Sequence, residues 1–94
     1  MERIRSRVVV TGEVQGVFFR DTCRRTAQEY GVAGWVRNLA DGTVEAVFEG
    51  EAAAVGQLVA WAERGPSQAV VDRVTVRQEE PEGLTGFEIR PTPW

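Results

Sequence analysis

The stretch GEVQGVFFRD, residues 12–21, separates two readable patterns and belongs to neither. Before it runs a β-branched segment, Ile4 to Thr11 (IRSRVVVT), which predicts a strand ending at Gly12. After it, Asp21 to Tyr30 predicts a helix. Cys23, Ala27 and Tyr30 fall at i, i+4 and i+7 on one face, and Gly31 supplies a C-terminal stop. Inside the stretch are two glycines, an apolar triplet and Arg20, a fixed positive charge where a helix begins. Helix beginnings carry partial positive charge and favour anionic groups. Arg20 therefore stands at the unfavourable end unless something negative sits beside it.

Outward from that stretch the chain continues in short, well-punctuated patterns. Ala33 to Leu39 (AGWVRNL) and Thr43 to Glu49 (TVEAVFE) flank Ala40-Asp41-Gly42 and predict a β-hairpin. Glu51 to Arg64 predicts a second helix, with Val55, Leu58, Val59 and Ala62 on one face and Gly65-Pro66 ending it. Val70 to Glu79 alternates as a strand, and Phe87 to Arg90 predicts a short final strand. The order is β-α-β-β-α-β with one short extra strand. It specifies an α+β fold, the ferredoxin-like sandwich, an antiparallel sheet with two helices on one face, as one domain over residues 1–94. A right-handed first crossover makes the first two strands run the same way. Their carboxyl ends then share one edge, so the loop leaving the first and Asn38 at the end of the second can converge. By analogy with open α/β sheets, that crevice is where a ligand is expected.

Composition narrows the chemistry further. The 94 residues are 43% hydrophobic and 27% charged, as in ordinary globular chains. No apolar run reaches membrane-spanning length, and MERIRSRVVV has too short an apolar run for a signal peptide, so a cytoplasmic protein with no membrane partner is expected. There is no histidine, hence no imidazole base and no histidine metal site. The single Cys23 makes neither an internal disulfide nor a zinc site. All 11 basic residues are arginine, which excludes a Schiff-base lysine. A net charge of −3 gives no general attraction for nucleic acid, so any anion site must be local. The acidic residues show no metal-ligand spacing.

The residue 12–20 loop admits two readings. Its glycines can turn backbone N–H groups toward one point, the following helix adds unpaired N–H groups, and Arg20 offers a planar fork for phosphate or carboxylate. Alternatively it is a tight strand-to-helix connection, with Arg20 in solvent and Asp21 offsetting its charge. Asn38 is likewise either the first residue of the hairpin turn or an amide that holds a water near the anion. Cys23 reads as a small core residue on the inward helix face, and Arg24 and Arg25 as a solvated helix surface. Glu79, Glu80 and Glu82, around Pro81, read as solvated surface, and Trp35, Phe48 and Trp61 as core or half-buried residues.

GEVQGVFFR at 12–20 and GWVRNLADGTVE at 34–45 together resemble the two signature motifs of acylphosphatases. The first fits the pattern G-x-V-Q-G-V-x-F-R without a departure. Gly65-Pro66 and the Gly86 to Ile89 ending fit as well; Cys23 departs from the Thr or Ser that many relatives carry. The resemblance implies hydrolysis of acyl phosphates to carboxylate and inorganic phosphate, with no cofactor and no metal. It implies that Arg20 binds phosphate, that Asn38 holds the attacking water, and that backbone amides of Gln15, Gly16, Val17, Phe18, Phe19 and Arg20 form the cradle. A monomer acting on a small acyl phosphate, with no nucleic-acid partner, is expected. The alternatives are a non-catalytic phosphate- or anion-sensing module, an RNA-binding domain of the same strand order, and a purely structural domain.

Overall fold

A computed structural model describes residues 2–94. Strand β1 (Arg3–Glu13) leads through the glycine loop to helix α1 (Phe19–Glu29). Strands β2 (Ala33–Asn38) and β3 (Val44–Glu51) form the hairpin, followed by helix α2 (Ala52–Ala62), β4 (Val70–Glu79) and β5 (Phe87–Ile89). The sheet order is β4-β1-β3-β2-β5. β1 and β2 each pair antiparallel with β3, so they run in the same direction and end at one edge. This is the ferredoxin-like sandwich, with one correction: the sheet is mixed, because β5 joins β2 in parallel.

The period-2 pattern of the strands sorts the side chains between faces. Val8 and Val10 lie opposite Ala46 and Val44 and, with Val36 and Phe48, form the floor of the core. Cys23 and Ala27 of α1, and Val55, Leu58 and Ala62 of α2, close it from above. On the open face Arg5 lies opposite Glu49, and Val9 opposite Glu45. Helix α1 begins at Phe19, two residues before the expected Asp21, because Phe19 is a core residue, its ring tilted against that of Trp61 with centroids 5.0 Å apart. Tyr30, expected on the inward face, is the C-cap and is 49% exposed.

Gly12 shapes the entry to the loop. The β1–β4 register shifts between Thr11 and Gly12, at φ +128°, and an added Cβ there would stand 2.1 Å from the Val70 carbonyl oxygen. Only glycine fits so close an approach. The shift bends the end of β1 and starts the chain into the residue 14–18 connection.

Of the acidic residues expected on a solvated surface, Glu80 and Glu82 are exposed, whereas Glu79 is half-buried and paired. Arg7 donates from Nε to Glu79 Oε2 (2.6 Å), and Arg5 from Nε to Glu79 Oε1 (2.9 Å). Arg5 also donates from Nη1 to Glu49 Oε1 (3.3 Å), and Glu49 is fully buried. Its carboxylate accepts the amides of Glu82 (3.0 Å), Gly83 (2.8 Å) and Leu84 (2.8 Å), latching the β4–β5 connection to the sheet. Trp35 is buried beneath the guanidinium groups of Arg37 and Arg90, which lie 4.7 and 4.9 Å from its ring centroid. With Trp35 covered in this way and the arginines paired, the open face lacks the exposed aromatics with which RNA-recognition sheets stack bases. No helix among the described residues is long and apolar enough to cross a membrane.

Candidate active site

At the edge where β1 and β2 end, a concavity of about 360 Å³ is lined by Val14, Gly16, Phe18, Arg20, Asp21, Asn38 and Ile89. Topology brings them together: the β1–α1 loop supplies Val14, Gly16 and Phe18, the first turn of α1 supplies Arg20 and Asp21, β2 supplies Asn38, and β5 places Ile89 opposite Val36 on the neighbouring strand. Gly16 and Phe18 both have positive φ, +75° and +65°. A bulky residue with positive φ is an outlier, and here it turns the chain sharply into α1. Phe18 is the N-cap, yet no side chain caps the helix. The first hydrogen bond of the helix runs from the Thr22 amide to the Phe18 carbonyl, at 3.1 Å. Among the described residues, the amides from Gln15 to Asp21 donate to no carbonyl and no side chain. A run of free donors at a helix start, following alternating left-handed residues, is an arrangement suited to an anion.

Arg20 is partly buried, and among the described residues it makes no ion pair or side-chain hydrogen bond. Asp21, the neighbour that could have offset its charge, sits 3.7 Å from Arg24 instead. The reading in which Asp21 neutralises Arg20 is thereby set aside. Asn38 is the last residue of β2, paired with Val44, and the hairpin turn lies beyond it. The turn is closed by Leu39 and Thr43, whose amide and carbonyl meet at 2.9 Å, and by Asp41. Thr43 donates its hydroxyl (2.7 Å) and amide (3.0 Å) to Asp41 Oδ1, which holds the Asp41 carboxyl below its usual pKa. Asn38 is thus free of the turn, and its Oδ1 is buried without a hydrogen-bond partner among the described residues. A buried acceptor left unpaired is costly, and asks for a ligand or a water.

Of the expected cradle residues, Gly16, Phe18 and Arg20 line the concavity with Asn38, whereas Gln15, Val17 and Phe19 do not. Val17 packs on the core and Phe19 is part of it. Gln15 sends its side chain across to the hairpin, where Nε2 donates to the carbonyls of Leu39 (2.8 Å) and Thr43 (2.9 Å). It ties the loop carrying Arg20 to the turn directly after Asn38. Sequence reasoning treated Gln15 as a backbone donor and missed this clamp; the signal was a side chain longer than any backbone role requires. Ile89 was missed too, since nothing local in Phe87-Glu88-Ile89 says that this strand pairs beside β2. Cys23 is fully buried and burial pushes its thiol pKa up, so it offers no thiolate nucleophile.

A ferredoxin-like sandwich whose parallel strand ends hold free amides and an unpaired guanidinium belongs, by fold and site together, with anion-handling α+β domains. Residues 6–89 match the family model described as Acylphosphatase, and the chain belongs to that family. It is 58% identical over 86 residues to an acylphosphatase of Gloeobacter violaceus, covering 92% of each chain. The solved acylphosphatase of Coxiella burnetii superposes with a TM-score of 0.90 at 40% identity, over 94% of this chain and 93% of that one. That of Bacillus subtilis gives 0.89 at 34% identity, over 93% and 98%.

Proposed function

We propose that this acylphosphatase hydrolyses acyl phosphates in the concavity between the 15–20 loop and Asn38. The observation that carries the assignment is Arg20: partly buried, without an anionic partner, and beside a run of free amides in a hollow shared with Asn38. The guanidinium and the loop amides hold the nonbridging phosphate oxygens, and these contacts strengthen as charge redistributes in the transition state. Asn38 accepts a hydrogen bond from water through Oδ1, its unpaired atom, and sets that water in line with phosphorus. Water oxygen bonds to phosphorus while the phosphorus–acyl oxygen bond breaks. The electron pair leaves with the carboxylate, and the water proton passes to a phosphate oxygen. A carboxylate is a good leaving group and phosphoryl transfer has a loose transition state, so positioning and charge suffice without a protein base. The reading is of a monomeric cytoplasmic enzyme that needs no metal.

The test is hydrolysis of benzoyl phosphate with a chelator present, for the wild type and Asn38→Ala. Turnover that survives chelation and collapses in the variant is expected. A wild type that binds inorganic phosphate but does not exceed the spontaneous rate would place the protein among anion sensors.

A further inference from the structure

Phe18 is the feature of the site that phosphate chemistry leaves unexplained. It is 66% exposed, it holds a left-handed conformation that bulky side chains avoid, and it stands on the wall of the concavity. Strain of this kind persists where the surrounding structure imposes it and clusters at ligand sites. The turn itself does not require a phenyl ring: Gly16 makes its own left-handed turn without a side chain, and Phe18 contributes no side-chain cap to α1. Nor does the core require it, since Phe19 fills that role and Phe18 is absent from the core cluster.

Resting on the phosphate site assigned above, we propose that Phe18, with Ile89 of the same lining, forms an acyl-binding subsite that selects acyl phosphates with apolar or aromatic acyl groups. Arg20, Gly16 and Asn38 make up the polar part of the lining; Phe18, Ile89 and the buried Val14 make up its apolar part. A substrate held by its phosphate on the Arg20 side must project its acyl group elsewhere in a hollow of about 360 Å³, and the apolar lining is what remains for it. The exposed ring offers a face on which an aromatic acyl group can stack. An acetyl group is too small to cover it. Phosphate recognition and acyl preference thus reside two residues apart, Arg20 in the first turn of α1 and Phe18 at its N-cap.

Acylphosphonates, in which a C–P bond replaces the cleavable P–O bond, separate binding from chemistry. Inhibition constants for acetylphosphonate, benzoylphosphonate and inorganic phosphate would be measured for the wild type, Phe18→Asn and Phe18→Tyr. Asparagine tolerates the left-handed conformation, so the first variant removes the ring and keeps the turn. The wild type is expected to bind benzoylphosphonate about tenfold tighter than acetylphosphonate, the upper end of what an aromatic pair contributes. The gap should shrink to about twofold or less in Phe18→Asn and persist in Phe18→Tyr, each constant being taken relative to that variant's own inorganic phosphate constant. Absence of a gap in the wild type, or a full gap in Phe18→Asn, would overturn the subsite. So would loss of inorganic phosphate binding in Phe18→Asn, because the ring would then be shaping the cradle. A wild type insensitive to inorganic phosphate would instead overturn the phosphate site on which the proposal rests.

Discussion

Two arginines, Arg5 and Arg20, sit toward opposite ends of the sheet and are treated in opposite ways. Arg5 is 3% exposed, and its fork is divided between Glu49 and Glu79, with Glu82 Oε2 a further 3.4 Å from Nη2. Arg20 is partly buried with no carboxylate answering it among the described residues, and the nearest in sequence, Asp21, faces Arg24. The same side chain thus ties down a loop at one end and stands without an ion pair among the described residues at the other. Satisfied polar groups stabilise a fold and unsatisfied ones are tolerated where a ligand completes them. Among the described residues, the strained Phe18, the unpartnered Oδ1 of Asn38 and the free amides all lie at the Arg20 end.

The sharpest way to break the contrast is to remove its unpaired member. Arg20→Gln should lower kcat/KM by about 10³-fold or more, because it deletes the charge that gathers the phosphate oxygens. It should also abolish competitive inhibition by inorganic phosphate, while the urea midpoint stays within error of the wild type, since no intramolecular pair is lost. A large fall in stability would mean that Arg20 has a structural partner after all. Asn38→Ala comes next, with kcat reduced on the order of 10²–10³-fold, the scale for one lost oxyanion donor, and phosphate inhibition preserved. Equal loss of phosphate affinity in both variants would contradict the division between holding phosphate and placing water.

At the other end, the expected effect is on stability alone. Glu49 Oε1 and Oε2 together accept three backbone amides and Arg5, and a glutamine would present an NH₂ to some of those donors. Glu49→Gln should therefore cost about 3–5 kcal/mol, the range for removing one partner of a buried ion pair. Denaturant unfolding measures it, and kcat of the folded enzyme should be unchanged at low temperature. A smaller effect belongs to the residue that ties the site together. Gln15→Met removes the hydrogen bonds to Leu39 and Thr43, each contributing about 0.5–1.5 kcal/mol. It should lower kcat by about tenfold through misplacement of Asn38 while leaving phosphate inhibition intact.

How far all this was legible in the sequence follows from the range of the interactions. The order of elements was readable because each strand and helix carries its own period and its own stop; β4 (Val70–Glu79) was bounded correctly at both ends. Phe19 was misplaced into the loop because its reason for being helical is Trp61 on α2, far along the chain. β5 was expected as a short strand, but nothing in its three residues says that it pairs parallel to β2, so Ile89 went unnoticed as part of the wall. Glu49 alternates in TVEAVFE like any solvent-facing residue, and only the amides of residues 82–84 make its burial possible. Arg20 and Asn38 were legible as a pair because the β-α-β crossover fixes which strand ends meet. The free amides were legible too, from the glycines and the helix start; the unpartnered Oδ1 of Asn38 was not, since a buried unpaired group is recognised only when every neighbour is known.

The smallest expected effect concerns pH, and it too separates the two ends. Hydrogen bonds from Arg7 and then Arg5 hold Glu79 down to about 2 from its ordinary 4.5. Burial pushes the Glu49 pKa up, but the amides of Glu82 and Leu84, Arg5 and the Gly83 amide outweigh it, and Glu49 also lies below its ordinary value. A carboxyl depressed in the folded state contributes stability that is complete above its unfolded pKa and lost as pH falls toward the folded one. For Glu79 that window runs from about 4.5 down to about 2. The melting temperature should therefore be flat from neutral pH to about 4.5 and decline below it. Glu79→Gln should lie below the wild type on the plateau and show a shallower decline, because one proton-linked term has gone. Arg20→Gln should follow the wild-type profile throughout, since no carboxylate depends on that guanidinium. A profile of Arg20→Gln that flattened in acid would reveal a hidden ionic partner and erase the distinction between the two arginines.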